Sequence, residues 1–189
     1  MYTWEEIESH IRNCQNCPLS LTRNKPVVGK GDHHAKIMFI AEAPGAKEDE
    51  AGIPFVGPAG QVLDQLLEDC SLTREEIYIT NILKCHPPGN RDPKDQEKDS
   101  CFPYLKLETF LLKPKIIVCL GRVAAQRIIS PDFRITRQHG QWLERKGCFL
   151  TAVYHPSALL RDPSRLELTK EDFHRIADKY HSLESKLPA

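Results

Sequence analysis

Residues 36–41, KIMFIA, form a short apolar run that leads directly into the glycine- and proline-containing segment EAPGAKEDEAGIPFVGPAG at residues 42–60. Three further runs have the same character: residues 77–83 (IYITNIL), 115–120 (KIIVCL) and 149–154 (FLTAVY). The apolar residues are nearly continuous rather than alternating, as in parallel strands that are covered on both faces. The four runs therefore predict four buried strands of a mainly parallel sheet.

Helical patterns lie between and around these runs, at residues 3–14, 59–70, 94–113, 122–130 and 169–187. The third of them is expected to be interrupted, or to begin afresh, near Pro103. Strands that alternate with helices predict an α/β fold, a three-layer αβα sandwich with a central four-stranded parallel sheet. The length of 189 residues favours a single domain over residues 1–189, with a substantial core.

Composition and charge limit the class of protein. No apolar run approaches the roughly 18 residues of a membrane span, so we expect no membrane segment. The first residues, MYTWEEIESHIRNC, are acidic and lack the apolar stretch of a signal peptide, which predicts a cytoplasmic protein. Lysine plus arginine equals aspartate plus glutamate at 26 each, so net charge does not indicate nucleic-acid binding, although a local basic patch would suffice for it.

The seven cysteines are an odd number and follow no secretion signal, which argues against a disulfide framework. Three of them lie in helix-like or strand-like sequence and predict apolar packing: Cys70, Cys119 and Cys148. The other four lie in polar, proline-containing or helix-edge sequence: Cys14, Cys17, Cys85 and Cys101. Four thiolates can hold zinc or a [4Fe–4S] cluster. Their spread spacing favours the cluster, and four unrelated free cysteines are the alternative.

Ligands of open α/β sheets bind outside the carboxyl ends of the strands, which directs attention to the loops that follow the four runs. In the loop at residues 42–60, small residues leave backbone N–H groups able to approach a polar ligand, and Phe55 suits a stacking role. Asn81 lies toward the end of the second run, and its amide matches the donor and acceptor edge of a nucleobase such as uracil. The alternatives are that Phe55 fills the core and that Asn81 caps a helix.

The last loop, HPSALLRDPS at residues 155–164, places a histidine directly after a strand, followed by two leucines and by arginines. A hydrogen-bonded histidine and a helix start would explain this pattern without any function. A catalytic histidine explains it as well, because His155 then lies at the active edge of the sheet.

Taken together, these motifs resemble the family 4 uracil-DNA glycosylases, the iron–sulfur type. The resemblance rests on AEAPGAKEDEAGIPFVGPAG, YITNILKCHPPGNRDP, the four spaced cysteines and HPSALLR, and it extends from about Tyr2 to at least Arg165. It implies the uracil-DNA glycosylase fold and a [4Fe–4S] cluster. It also implies a monofunctional DNA glycosylase of base excision repair, a hydrolase that removes uracil from single- and double-stranded DNA and leaves an abasic site. We expect a monomer whose partner is uracil-containing DNA.

The resemblance implies a role for each matching residue. The uracil pocket would be built from Ala41, Glu42, Ala43, Phe55, Asn81 and His155. His155 would donate to uracil O2 and so stabilise the leaving anion, and Glu42 is a candidate for positioning water. DNA contacts are expected from Ser157, Leu159, Leu160, Arg161 and Arg165, with either leucine as a wedge behind the flipped nucleotide. The cluster ligands would be Cys14, Cys17, Cys85 and Cys101.

Three positions bear on how far the resemblance reaches. Ala41 replaces the glycine that usually begins the first motif, a small change that should keep the backbone contacts. Ala43, usual in the iron–sulfur family, stands where other uracil glycosylases have a water-activating aspartate. Glu42, Glu48 or Asp49 could position water instead, or leaving-group stabilisation could suffice without a base. Gly45 lacks the aromatic ring that elsewhere excludes the methyl group of thymine, so thymine must be rejected by other contacts.

Two readings compete with the enzyme. A non-catalytic module of the same fold would bind uracil-containing DNA without forming abasic sites, although the intact His155 and Asn81 argue against it. A zinc-stabilised α/β domain unrelated to DNA would require the four cysteines to carry zinc.

Overall fold

The computed structural model describes residues 2–185. It contains a six-stranded sheet in the order β1-β3-β2-β4-β6-β5. The strands are β1 (Lys30–Gly31), β2 (Ile37–Ala41), β3 (Ile77–Asn81), β4 (Ile116–Leu120), β5 (Leu143–Arg145) and β6 (Cys148–Val153). The predicted α/β class and its four parallel strands are confirmed, since β3, β2, β4 and β6 pair in parallel.

The sheet is wider than predicted because each edge carries a short antiparallel strand. β1 pairs with β3, and β5 pairs with β6. These strands have two and three residues, all of them exposed. Without a buried face they have no hydrophobic pattern, which explains why the sequence did not indicate them.

The helices are α1 (Trp4–Arg12), α2 (Ala46–Ala51), α3 (Pro58–Asp69), α4 (Asp95–Leu112), α5 (Arg122–Ile128), α6 (Ile135–Gln138), α7 (Pro156–Arg161) and α8 (Leu166–Glu184). Short 3₁₀ turns occupy Pro18–Leu21, Arg74–Glu76, Pro88–Asn90 and Pro163–Arg165. Helix α4 continues through Pro103, so the predicted break there is wrong. The segment predicted as a loop after the last strand contains α7. The last two residues of the helix predicted at residues 169–187 lie outside the described residues.

Two apolar layers, one on each face of the sheet, produce the sandwich. On one face Ile37 and Phe39 of β2 pack with residues of α3 and α8, among them Leu63 and Phe173. On the other face Met38 and Ile40 pack with residues of α4 and α5. Successive strand residues point to opposite faces, so a continuous apolar run fills both layers.

Helix α1 lies outside this second layer. Its buried residues Ile7 and Ile11 pack with Val28 and with the outer side of α4. Thr3 caps the helix, and the Thr3 and Glu6 side chains exchange hydrogen bonds with each other's backbone in a capping box. None of the helices within residues 2–185 has the length and apolar character required of a membrane span. A single domain over the whole chain stays a prediction.

Candidate active site

The carboxyl ends of β2 and β3 place the first two predicted motifs side by side. Ala41 and Asn81 are paired residues at the ends of these strands, and both are buried. Beyond the strands the two segments remain hydrogen-bonded to each other. The N–H of Ile82 donates to the Ala41 carbonyl at 2.9 Å, and the N–H of Leu83 donates to the Glu42 carbonyl at 3.0 Å. The first motif and the asparagine strand therefore form one rigid edge.

The Asn81 side chain is 3% exposed. Its backbone carbonyl accepts a hydrogen bond of 3.0 Å from Lys84 Nζ, which is itself paired with Glu108 at 2.6 Å. Among residues 2–185 no group hydrogen-bonds the side-chain amide of Asn81. The strand end is thus held by its backbone, and the amide remains available to a ligand with a donor and an acceptor.

Phe55 and His155 are 100 residues apart in the sequence, and their side chains are in contact. Their rings are stacked, with centroids 5.7 Å apart and an angle of 29° between the planes. Phe55 is 6% exposed and also belongs to the core layer that contains α3 and α8, so the alternative core role describes contacts that it makes. Whether Phe55 stacks on a base stays a prediction, with its ring placed beside His155.

His155 caps helix α7, and the cap fixes its tautomer. The Nδ1 atom accepts the N–H of Ser157 at 3.1 Å and lies 2.8 Å from Ser157 Oγ. Because a backbone N–H can only donate, Nδ1 is unprotonated and the neutral ring carries its proton on Nε2. Burial, followed by the charge of Arg161, lowers the pKa of His155 to about 4. At neutral pH the residue is therefore a neutral imidazole with one donor, Nε2–H.

Gly121, at the end of β4, permits this arrangement. Its N–H donates to the Val153 carbonyl at 2.9 Å, which brings the loop after β4 against the end of β6. A Cβ on Gly121 would lie 3.0 Å from the His155 Cβ, and φ is +89°. A larger residue would be strained and would press on the histidine.

Glu42 is partly buried, and the pKa of its carboxyl is raised, first by burial and then by the charge of Asp92; Arg122 and Lys98 oppose the shift. A carboxylate with a raised pKa is a stronger base than an exposed one, which suits a group that orients and deprotonates water. Asp49, the alternative considered from the sequence, is 2% exposed and accepts hydrogen bonds from the backbone and side chain of Asn24. Asp49 therefore holds the loop together.

Glu48 occupies the space beside Gly45. Its Oε1 accepts the N–H of Gly57 at 2.8 Å, and a Cβ built on Gly45 would lie 2.7 Å from its Oε2. The position that lacks an aromatic ring is thus bordered by a fixed carboxylate. This contact joins α2 to the residue that caps α3, and no sequence pattern predicted it beyond the presence of an acidic residue.

The predicted DNA-contacting residues divide into buried and exposed members. Leu159 is 4% exposed and belongs to the core, whereas Leu160, the next residue of α7, is 51% exposed. Arg161 is exposed. Arg165 donates from Nε to Asp162 at 2.8 Å and lies over the Tyr154 ring at 4.8 Å. Ser157 is half-buried and bonded to His155.

The four predicted ligand cysteines line one small cavity, together with polar and cationic neighbours that include Arg23 and Lys84. The guanidinium of Arg23 donates to Cys85 Sγ at 3.0 Å and to the Cys14 carbonyl at 2.7 Å. The N–H of Lys84 donates to Cys101 Sγ at 3.2 Å. Within residues 2–185 no three His, Cys, Asp or Glu side chains are grouped as a ligand set for a metal ion. The four cysteines thus line one cavity, but within residues 2–185 they do not form a compact site for a single metal ion.

Comparison with known proteins identifies the family. The model of the uracil DNA glycosylase superfamily matches residues 28–179. A protein of Archaeoglobus fulgidus named type-4 uracil-DNA glycosylase is 41% identical over 186 residues, which cover 94% of each chain. A protein of Thermotoga maritima with the same name is 39% identical, covering 87% of this chain and 88% of its own length. A type-5 uracil-DNA glycosylase of Pyrobaculum aerophilum is 27% identical over 86% of each chain.

The fold, the match to the family model and these relatives define a member of the uracil DNA glycosylase superfamily. Within it, the chain belongs to the type-4 uracil-DNA glycosylases. The resemblance noted from the sequence is therefore confirmed.

Proposed function

We propose that the protein is a uracil-DNA glycosylase that hydrolyses the N-glycosidic bond of deoxyuridine in DNA as the first step of base excision repair. The observation that carries the proposal is the neutral His155, which has its donor at Nε2–H and whose ring stacks on the Phe55 ring at the carboxyl edge of the sheet. Family membership supports the same activity.

Each residue of the site then has a chemical task. In duplex DNA the deoxyuridine nucleotide must rotate out of the base stack before the enzyme can reach it, at a cost of roughly a few kcal/mol. Phe55 stacks on the extruded base, and the Asn81 amide reads its donor and acceptor edge. As the bond breaks, the uracil departs with the bonding electron pair, and His155 Nε2–H donates to uracil O2 where negative charge develops.

Water completes the reaction at C1′ of the sugar. We propose that Glu42 orients this water and takes its proton, because the carboxyl is partly buried and its pKa is raised. The hydroxyl group forms the new bond to C1′, and the products are free uracil and an abasic site. Within residues 2–185 the lysine that contacts the site, Lys84, is bound to the Asn81 carbonyl and paired with Glu108, and we propose no lyase step.

We also propose that Cys14, Cys17, Cys85 and Cys101 hold a [4Fe–4S] cluster. The four thiols line one cavity, and Arg23 and the Lys84 N–H donate to two of the sulfur atoms, as expected for thiolates that bear negative charge. The cluster would crosslink the segment after α1 to the loop after β3 and to α4. Iron and sulfide analysis with a visible absorption spectrum tests this assignment, and stoichiometric zinc without iron would overturn it.

The activity is tested with oligonucleotides that contain one uracil, single-stranded or opposite guanine, with thymine at the same position as the matched control. We expect release of free uracil and alkali-labile abasic sites from the uracil substrates, without an added metal or nucleotide. Tight binding of the uracil duplex without base release would instead indicate a non-catalytic binding module. Monomeric state and cytoplasmic location stay predictions.

A further inference from the structure

Phe55 has a backbone conformation that phenylalanine rarely adopts. Its φ is +55°, in the left-handed region where the Cβ atom crowds the backbone. The same residue presents its ring to His155. A bulky residue stays in this conformation only when the surrounding structure holds it there, so the holding contacts determine where the ring points.

One such contact is the close approach of Phe55 to the start of helix α3. A Cβ added to Gly60 would lie 1.9 Å from the Phe55 carbonyl oxygen. Only glycine at this position leaves space for the carbonyl. The carbonyl is therefore directed toward the first turn of α3, away from the pocket.

Arg74 secures this carbonyl from a distant part of the chain. Its Nη2 donates to the carbonyl oxygen of Phe55 at 2.8 Å and to that of Gly60 at 3.2 Å. Its Nε donates to Asp64 of α3 at 2.5 Å. The guanidinium of Arg74 thus binds the carbonyls of both Phe55 and Gly60 and is itself anchored to α3 through Asp64. The Arg74 side chain is 31% exposed.

We propose that Arg74 is a positioning residue for base recognition, which holds the Phe55 ring in its stacking orientation through the Phe55 carbonyl. Arg74 lies in the 3₁₀ turn before β3, outside the motifs that carry the family resemblance. The inference rests on the proposed stacking of Phe55 on uracil. A planar guanidinium suits the task, because its fixed fork of donors reaches two carbonyls and one carboxylate at once.

The test compares Arg74→Gln with Arg127→Gln. Arg127 is a matched control, since it forms an ion pair of 2.6 Å with Asp99 and is 30% exposed, close to the values of Arg74. The ring is followed directly by ¹⁹F NMR of protein labelled with 4-fluorophenylalanine, with the Phe55 signal assigned by its loss in Phe55→Leu. We expect Arg74→Gln to shift or broaden this signal, and Arg127→Gln to leave it unchanged.

Inhibition of excision by free uracil provides the functional readout. Loss of base–aromatic stacking corresponds to a weakening of roughly tenfold in the inhibition constant, which we expect for Arg74→Gln. In a Phe55→Ala background, Arg74→Gln should cause no further weakening, because the ring that Arg74 positions is absent. Asp64→Asn, which keeps Arg74 but weakens its anchor, should cause a smaller change in the same direction.

An unchanged Phe55 signal in folded Arg74→Gln protein, or full additivity with Phe55→Ala, would overturn the proposal. Either result would show that Arg74 has only a structural role. A wild-type protein that releases no uracil would count against the proposed function instead. The NMR comparison needs no turnover, so it decides the positioning role in either case.

Discussion

Two adjoining regions of the molecule meet at His155 and are held in different ways. The proposed base pocket, with Ala41, Phe55, Asn81 and His155, consists of strand ends and of buried or half-buried residues whose backbone is held by hydrogen bonds. The rim, formed by Leu160, Arg161 and Arg165, projects from α7 and the turn after it, and its side chains are exposed or partly exposed. A preorganised pocket suits chemistry on the base, whereas an exposed rim suits contacts that form only with DNA.

This difference predicts which substitutions affect single-stranded substrates and which affect mainly duplex substrates. Changes in the base pocket should affect single- and double-stranded substrates alike, because both present the same uracil. Changes in the rim should affect mainly the duplex, where a gap must be filled and kinked phosphates must be held.

His155→Ala tests the pocket with the largest expected effect. Removal of one hydrogen bond to a developing anion costs about 10²–10³ in rate. We expect this loss in single-turnover excision from both single- and double-stranded substrates, with binding of uracil-containing DNA retained. A rate within a few-fold of wild type would remove the leaving-group role of His155.

Glu42→Gln tests the water-orienting role through the pH profile. Because the pKa of Glu42 is raised above 4.5, the carboxylate should be protonated first as the pH falls, and His155, with a pKa of about 4, only afterwards. The wild-type rate should therefore fall with decreasing pH along a limb above pH 4.5. Glu42→Gln should lower the neutral rate by about 10² and abolish this acid limb, because His155 keeps its Nε2–H donor when Nδ1 becomes protonated. An acid limb at the same pH in both proteins would contradict this assignment.

Asn81→Ala tests base reading. Loss of the amide removes a matched donor and acceptor, and we expect uracil affinity to fall by roughly tenfold, with weaker discrimination of uracil from cytosine. Competition between uracil- and cytosine-containing oligonucleotides measures the selectivity. Unchanged selectivity would assign the reading to another group.

The sequence placed Asn81 and His155 in the fold better than the two leucines of α7, for a physical reason. Asn81 ends β3 and His155 follows β6, and the carboxyl edge of a parallel sheet collects the residues at those strand ends. Leu159 and Leu160 could not be separated in the same way, because they were assigned to a loop, and only the turn of α7 directs one inward and the other outward. No pattern predicted the contacts of Arg74 and Glu48 with backbone groups, since these groups are close only in the folded chain.

Leu160→Ala and Leu159→Ala form a matched pair that separates wedge from core. Leu160 is exposed, so its loss should leave the free energy of unfolding nearly unchanged and lower duplex excision several-fold more than single-strand excision. Leu159 is buried, so its truncation should cost about 2–5 kcal/mol in the free energy of unfolding. Chemical denaturation and excision assays on both substrates measure the two effects. Equal losses on single and double strands for Leu160→Ala would argue against a wedge.

Arg161→Ala should have the smallest effect and the clearest salt signature. If Arg161 contacts one phosphate, its removal should lower the slope of log K against log salt by about 0.9 for duplex DNA. The loss should be the same for duplexes with and without uracil, because a phosphate contact carries no base information. Arg175→Ala serves as the control, since Arg175 lies on α8 with 57% of its side chain exposed and pairs with Glu171. An unchanged slope for Arg161→Ala, or an equal change for Arg175→Ala, would place the phosphate contact elsewhere on the surface.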